Sequence, residues 1–128
     1  MPATGLATAC YQYFFYHCSG LVKPPSVLPA PTVPTSAYQS MFVTCSSMLS
    51  APVIMGTSNS NYNNAFNSMF QYCTSLKWIE VPFTEWFGTG NWVQYVQTNE
   101  GTFRKPTALI EQHGSNFIPS NWTVVNID

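Results

Sequence analysis

The stretch AFNSMFQYCTSLKWIEVP, from Ala65 to Pro82, places a cysteine between a Met-Phe pair and a leucine. Two related stretches lie upstream: CYQYFFYHCSGLVKPPSV, which spans Cys10 to Val27, and AYQSMFVTCSSMLSAPVI, which spans Ala37 to Ile54. A repeat at a fixed period indicates structural units that stack and bury one continuous core. The sequence therefore predicts a repeat fold.

The repeat period follows from the cysteines. Cys18 and Cys45 are 27 residues apart, and Cys45 and Cys73 are 28 apart, with the extra residue in the Asn-rich connector MGTSNSNYNN. A chain of 128 residues is one domain by length. We predict a single structural unit, which has three repeats, residues 1–27, 28–54 and 55–82, and a C-terminal capping segment, residues 83–128.

Apolar residues recur in fixed columns of each repeat, at relative positions 0, 3, 4, 7 and 10. The columns are Tyr11/Tyr38/Phe66, Phe14/Met41/Met69, Phe15/Phe42/Phe70, Cys18/Cys45/Cys73 and Leu21/Met48/Leu76. This is the spacing of an apolar stripe on an α-helix. The segments LVKPPSV, MLSAPVI and LKWIEVP that follow the cysteines are typical of short strands with a proline near the end. The predicted fold class is α/β.

The column of Cys18, Cys45 and Cys73 has three interpretations. The favoured one is a row of small buried thiols that only fill the core. A disulfide between adjacent repeats stays open, although stacked helical residues rarely offer the geometry it needs. A metal site is a further alternative, but the sequence has no CxxC pair. We predict no metal and no cofactor.

Charge is scarce, with four Lys plus Arg, five Asp plus Glu and 7% charged residues in total. Nucleic acids and anionic membranes bind basic patches, so neither is an expected partner. The chain contains no apolar run long enough to span a membrane and no segment typical of a signal peptide. A polar, uncharged surface is common in secreted or virion-exposed proteins, and we expect an extracellular, cell-surface or virion location.

The word AFNSMFQYCTSLKWIEVP resembles the AFxxCxxLxxIxIP pattern of BspA-type leucine-rich repeats. The recurring LPA, CYQYFF and CTSL words resemble a long-period variant from surface proteins of gut Bacteroidetes and their phages, and FIPSNWTV resembles the closing segment of such arrays. Two departures are Met48, where leucine is usual, and the KPP that follows Val22. The resemblance implies a curved solenoid with a helix and a short strand per repeat. The words GTFRKP and NWTVVNI in the C-terminal segment are typical of strands, so we predict a β-rich C-terminal cap. The resemblance also implies surface adhesion or recognition, and it assigns no functional residues.

Candidate binding residues are those that differ between repeats while the core columns stay nearly fixed. Tyr supplies contact area and amides supply adaptable hydrogen bonds. The predicted ligand contacts are Tyr13, Tyr16, Gln71, Tyr72 and, on the strand side, Trp78. The alternative is an ordinary solvated helix face with tolerated variation. Trp86, Trp92 and Trp122 are predicted to form the core of the C-terminal cap, with an aromatic binding platform as the alternative.

The first repeat begins with no capping turn before CYQYFFYHC. An exposed apolar patch marks an interface or an incomplete chain. We predict an assembly interface at Cys10, Tyr11 and Phe14, which would contact another copy or a partner protein; a fragment of a longer array is the alternative.

Catalytic groups are few. His17 is next to Cys18 but points about 100° away from it on a helix, and His113 lies in a turn-like EQHGSN segment. Nothing places Glu80 and Glu85 across a cleft, as glycoside hydrolysis requires. We predict a protein that is not an enzyme: a recognition module on a bacterial or phage surface that binds a glycan or protein. The alternative function is a structural component of a virion or appendage.

Overall fold

A computed structural model of the chain describes residues 5–58 and 64–128. Five short strands lie in this part of the chain: β1 Val27–Leu28, β2 Val53–Ile54, β3 Trp78–Glu80, β4 Thr102–Lys105 and β5 Thr123–Asn126. Strand β1 pairs with β2, and β3, β4 and β5 form a second sheet in that order. A bridge between Ser50, which precedes β2, and Trp78 of β3 connects the two sheets, and every one of these pairings is parallel.

Because neighbouring strands are parallel and are separated by only a short stretch of sequence, the chain makes one circuit between successive strands. Val27 pairs with Val53, 26 residues on, while Trp78 pairs with Thr102 and Thr102 with Thr123, only 24 and 21 residues on. We call these circuits coils 1 to 5, each named for the strand β1 to β5 that it contains. The later coils are tighter, and they continue the stack through the C-terminal segment.

The predicted helix of each repeat is wrong. The described residues contain no helix, and the fold is not the helix-plus-strand, leucine-rich-repeat-like solenoid that the spacing and the resemblance implied. Where helices were expected, the chain forms runs of consecutive turns at residues 8–17, 35–44 and 65–72, and a shorter run at 90–95. We call these runs ribbons 1 to 4.

A ribbon differs from a helix in where its amides bond. In ribbon 2, the N–H groups of Gln39, Met41 and Val43 donate to carbonyls three residues back. The alternate N–H groups, those of Tyr38, Ser40, Phe42 and Thr44, donate to ribbon 3 of the next coil. Half of the amides therefore close local turns and half join coils, so no α-helical ladder can form.

Backbone angles explain why the chain cannot be helical here. Every fourth ribbon residue has a positive φ, as at Ser36, Ser40 and Thr44, with φ of 56°, 55° and 61°. A left-handed residue breaks an α-helix and is unfavourable for a side chain with Cβ. The lateral hydrogen bonds between ribbons offset this cost, because each ribbon is held on its neighbour at two-residue intervals.

The four-residue turn period also explains the misleading sequence pattern. A chain that repeats its conformation every four residues places i and i+4 alike and i+3 and i+7 alike. Here both pairs, Tyr38 with Phe42 and Met41 with Cys45, are buried, which reproduces the spacing of an apolar helix face. Met41, Phe42, Cys45 and Met48 are all fully buried, and the third-repeat residues in the same columns are buried too. The pattern identified the buried face and assigned it to the wrong backbone conformation.

The core is a stack of aromatic rings that runs through the coils. Phe15 stacks on Phe42 at 5.3 Å, Phe42 on Phe70 at 5.7 Å, and Phe70 meets Trp92 at 5.6 Å between ring centroids. Trp92 and Trp122 are buried and Trp86 packs against the same cluster, as predicted for these tryptophans. In the described part of the chain, no helix has the length and apolar character needed to cross a membrane.

Phe42 and Phe14 provide a matched test of this stack. Phe42 is fully buried between two rings, whereas Phe14 is 56% exposed on coil 1. Truncating a buried Phe costs about 3–5 kcal/mol, so Phe42→Ala should lower the urea midpoint strongly. Phe14→Ala should shift the midpoint by less than half as much. Equal shifts in the two variants would contradict the described packing of coils 1 and 2.

Candidate functional site

A concave surface runs across the strand side of the coils. Three adjoining cavities of about 610, 400 and 460 Å³ lie along it: the first and second share Leu49, and the second and third share Lys77, Asn99 and Glu100. They form one groove from coil 1 to coil 5, which we call the strand-side groove. Ligand sites are usually concave, with an apolar surface and a few polar groups, so this groove is the candidate functional site.

One end of the groove is apolar. It is lined by Val22, Pro24, Pro25, Leu49, Ala51 and Trp78, with Lys23, Ser26 and Ser50 between them. The backbone of Trp78 is fixed from coil 2, because the Ala51 N–H donates to the Trp78 carbonyl at 3.0 Å. The Leu49 carbonyl accepts from the N–H of Lys77 at 2.8 Å. The half-buried Trp78 side chain is therefore set on a rigid strand at the junction of the apolar and polar ends.

The other end is polar. The Lys77 ammonium lies 3.0 Å from a carboxylate oxygen of Glu100, and both side chains are more than half exposed. Thr102 and Thr123 are paired in register on β4 and β5, and Asn99 and Asn121 complete this part of the lining. An exposed pair contributes little to stability, so these charges are available to a ligand.

Gln97 holds the loop that carries Asn99 and Glu100. Its side-chain amide donates to the carbonyls of Leu76, at 2.7 Å, and Glu100. Its carbonyl oxygen accepts from the backbone N–H groups of Asn99, at 2.8 Å, and Glu100, at 3.2 Å. The side-chain amide of Gln97 therefore fixes the loop of Asn99 and Glu100 to coil 3, and the polar end of the groove is preorganised.

Two further cations near the strands have structural roles. The Arg104 guanidinium donates to Glu80 at 2.8 Å, across the β3–β4 pairing. Lys105 is 3% exposed, and its ammonium donates to the carbonyl oxygen of Leu109 at 2.6 Å and to the side chain of Asn126 at 3.1 Å. Lys105 thereby ties coil 4 to coil 5. Neither residue lines the described groove.

Of the predicted ligand contacts, only Trp78 lines the strand-side groove. Tyr13 and Tyr16 are exposed on ribbon 1 and pack edge to face at 5.3 Å. Tyr72 lies on ribbon 3 and stacks on Tyr95 of ribbon 4 at 4.6 Å. Gln71 donates its side-chain amide to Gln94. The four ribbon residues therefore form two separate clusters, on coil 1 and on coils 3 and 4, instead of one row.

Sequence reasoning missed Lys77, Asn99, Glu100 and Asn121. Lys77 directly precedes Trp78, which was predicted, and this was a usable signal. Asn99, Glu100 and Asn121 lie outside the three obvious repeats, in coils whose 24- and 21-residue spacing no repeated word reveals. Only the stacking of the short coils brings them beside Lys77.

The predicted interface residues lie at the open end of the stack. Cys10 and Phe14 are exposed, while Tyr11 is partly buried and stacks on Tyr38 at 6.1 Å. The residues in the same columns of coils 2 and 3 are fully buried. Coil 1 therefore exposes a face that other coils cover.

The four cysteines are free, and they divide by coil. Cys45 and Cys73 are buried core residues, as predicted, but Cys18 is exposed because it lies on the uncovered coil 1. The Cys45 thiol donates to the Phe15 carbonyl at 3.2 Å, and the Cys73 thiol donates to the Phe42 carbonyl at 3.1 Å. Each buried thiol thus links its coil to the preceding one. Among the described residues, no three His, Cys, Asp or Glu side chains cluster as metal ligands would.

Burial sets the acidity of these thiols. Loss of solvation raises the pKa of Cys45 to about 11 and raises the pKa of Cys73 further. Burial likewise raises the pKa of Tyr38. A thiol is reactive as the thiolate, so Cys45 and Cys73 are protected both by packing and by protonation.

Comparison with known proteins gives no relative for this chain: no family model, curated protein or solved structure matches it.

Thiol labelling should distinguish the two cysteine classes. In the native protein we expect Cys10 and Cys18 to react rapidly with a chromogenic disulfide reagent and Cys45 and Cys73 to react only after addition of denaturant. Mass spectrometry of the quenched protein identifies the labelled positions. Rapid native labelling of Cys73 would contradict the described core.

Alkaline pH should destabilise the protein through Cys45. The unfolded thiol ionises near pH 9.0 and the folded one near 11, so between these values the unfolded state binds fewer protons. The free energy of unfolding therefore falls as pH rises through this window. The fall in urea midpoint from pH 9 to 11 should be shallower in Cys45→Ala than in the wild type. The control Ser47→Ala, at an exposed residue close to Cys45 that carries no ionisable group, should keep the wild-type slope.

Proposed function

We propose that this protein is a non-catalytic recognition or adhesion module that binds a glycan or protein through its repeat face. The strand-side groove is the binding surface. The proposed setting is the surface of a bacterium or a phage, outside the cell or on the virion. The sequence resemblance to BspA-type surface repeats supports this setting, as does the polar surface with few charges.

The observation that carries the proposal is the gradient along the groove. Its apolar end places Trp78 beside Pro25 and Leu49, and its polar end offers Lys77 and Glu100 with nearby amide and hydroxyl groups. Aromatic and apolar groups supply contact energy, and a few polar groups fix the orientation of a ligand. The groove crosses successive parallel coils, which lie about 4.8 Å apart. It therefore suits an elongated ligand, an oligosaccharide or an extended peptide.

A second candidate function is a structural role in a virion or surface appendage. The exposed Cys10 and Phe14 of coil 1 favour it, because their column partners Ala37 and Met41 are fully buried one coil further on. In this case coil 1 would be an assembly surface. The two functions use different surfaces, the strand-side groove and the ribbon edge of coil 1, so separate variants test them.

The binding function is tested by screening surface polysaccharides and surface proteins against the immobilised protein. For any ligand found, Trp78→Ala should weaken binding at least tenfold, because truncation of an aromatic contact at the centre of an interface costs about 2 kcal/mol or more. Lys77→Gln should weaken it less and should reduce its dependence on salt.

Tyr95→Ala is the matched control, since Tyr95 is an exposed aromatic residue outside the groove. The Tyr95→Ala variant should bind the ligand with the same affinity as the wild type. A ligand that tolerates Trp78→Ala but is lost with Tyr72→Ala or Tyr95→Ala would overturn the groove assignment in favour of the ribbon tyrosines.

A further inference from the structure

The backbone-to-backbone hydrogen bonds between ribbons all run in one direction. Tyr11, Tyr13 and Phe15 of ribbon 1 donate their N–H groups to carbonyls of ribbon 2 at 2.9–3.1 Å. Ribbon 2 donates to ribbon 3 in the same columns, and Phe66, Ser68, Phe70 and Tyr72 of ribbon 3 donate to coil 4 at 2.7–3.0 Å. Each described ribbon thus has a donor edge toward the next coil and an acceptor edge toward the previous one.

The open end of the stack is therefore an acceptor edge. The ribbon 2 carbonyls of Ala37, Gln39, Met41 and Val43 accept from coil 1, and the same columns in coil 1 are Cys10, Gln12, Phe14 and Tyr16. No hydrogen bond from the described residues reaches those four carbonyls. These four carbonyls form a row with two-residue spacing. Beside them lie apolar side chains of coil 1 whose column partners in coils 2 and 3 are buried. An unpaired backbone edge of this kind is a template for another chain.

We propose that coil 1 binds a partner polypeptide that adds one more turn ribbon to the stack, with its N–H groups facing the carbonyls of Cys10, Gln12, Phe14 and Tyr16. This inference deepens the structural alternative above and does not depend on the strand-side groove. The occupant needs apolar residues in the columns of Tyr38, Met41 and Phe42, because those side chains form the cover in ribbon 2. The mode is the turn-ribbon counterpart of strand addition at a sheet edge.

The direction of the ladder excludes the simplest self-association. In a two-fold dimer of open ends, one row of carbonyls would face another, and neither could donate. Head-to-tail stacking is also unsuited. Coil 5 has no ribbon in its described residues. The N–H of Gly114 instead donates to the Ile118 carbonyl and the N–H of Ile118 donates to the Gln112 carbonyl, which closes a loop, so a regular donor row is absent there.

A synthetic peptide of residues 34–49, with Cys45→Ser to prevent oxidation, is the probe. This peptide contains ribbon 2, which packs on ribbon 3 and covers it within the chain. A fluorescently labelled peptide should bind the full chain saturably, as measured by anisotropy. Methylation of the backbone nitrogens of Tyr38, Ser40, Phe42 and Thr44 removes the four donors and should weaken binding at least tenfold. Methylation at Ser46 and Ser47, whose N–H groups donate no backbone bond, is the control and should leave affinity unchanged.

Two substitutions in the protein give a second matched comparison. Phe14→Asp should weaken peptide binding at least tenfold, whereas Tyr95→Asp, at a similarly exposed aromatic residue on ribbon 4, should not. Light scattering should show a monomer at all concentrations without peptide. A dimer abolished by Phe14→Asp, equal binding of the donor-blocked peptide, or no binding to the folded protein would each overturn the proposal. Loss of ligand binding in Trp78→Ala reports on the groove alone, so the two proposals fail separately.

Discussion

The one-way ladder of amide hydrogen bonds between turn ribbons is the constraint on which the rest of the structure depends. In each ribbon, alternate N–H groups close turns and the others reach the next coil, as Phe42 does with the carbonyl of Met69 at 2.9 Å. This division sets the coil spacing, and the spacing lets Phe15, Phe42 and Phe70 stack into one core. Without the lateral bonds, residues such as Ser40 and Thr44 would have no compensation for their positive φ. Local conformation and stacking therefore stabilise each other, and neither is expected to persist in an isolated repeat.

The same ladder organises the functional surfaces. It brings strands from separate circuits into parallel register, so that Trp78 of coil 3 lies beside Leu49 of coil 2 and Lys77 lies beside Glu100 of coil 4. The strand-side groove is thus a product of stacking and has no counterpart in a single repeat. The ladder also has a direction, which gives the two ends of the stack different chemistry. An end that offers carbonyl groups selects a partner that offers N–H groups, and this is a stronger restriction than exposed apolar area alone.

The buried thiols illustrate how closely packing and chemistry are joined in this fold. Cys45 and Cys73 donate to carbonyls of the preceding coil while filling small spaces beside the ring stack. Burial keeps them protonated, so they act as weak donors and small apolar groups rather than nucleophiles. Cys18 belongs to the same sequence column but lies on coil 1, which no other described coil covers, and it is exposed. Position in the stack, and not residue type, decides the chemical character of each cysteine.

The sequence by itself determined the repeat, its period and the buried columns, because identical spacing in three segments requires that the same side chains face one core. It identified Trp78 at the groove, and it predicted β4 and β5 from their strand-like words. It could not determine the backbone conformation of the ribbons, since the four-residue turns of this chain bury the positions i, i+3, i+4 and i+7 that form one face of an α-helix. Tertiary structure decided between them, because the turns require a neighbouring coil to receive half of their N–H groups. It also decided the polar end of the groove: Asn99, Glu100 and Asn121 meet Lys77 only when coils of unequal length are stacked.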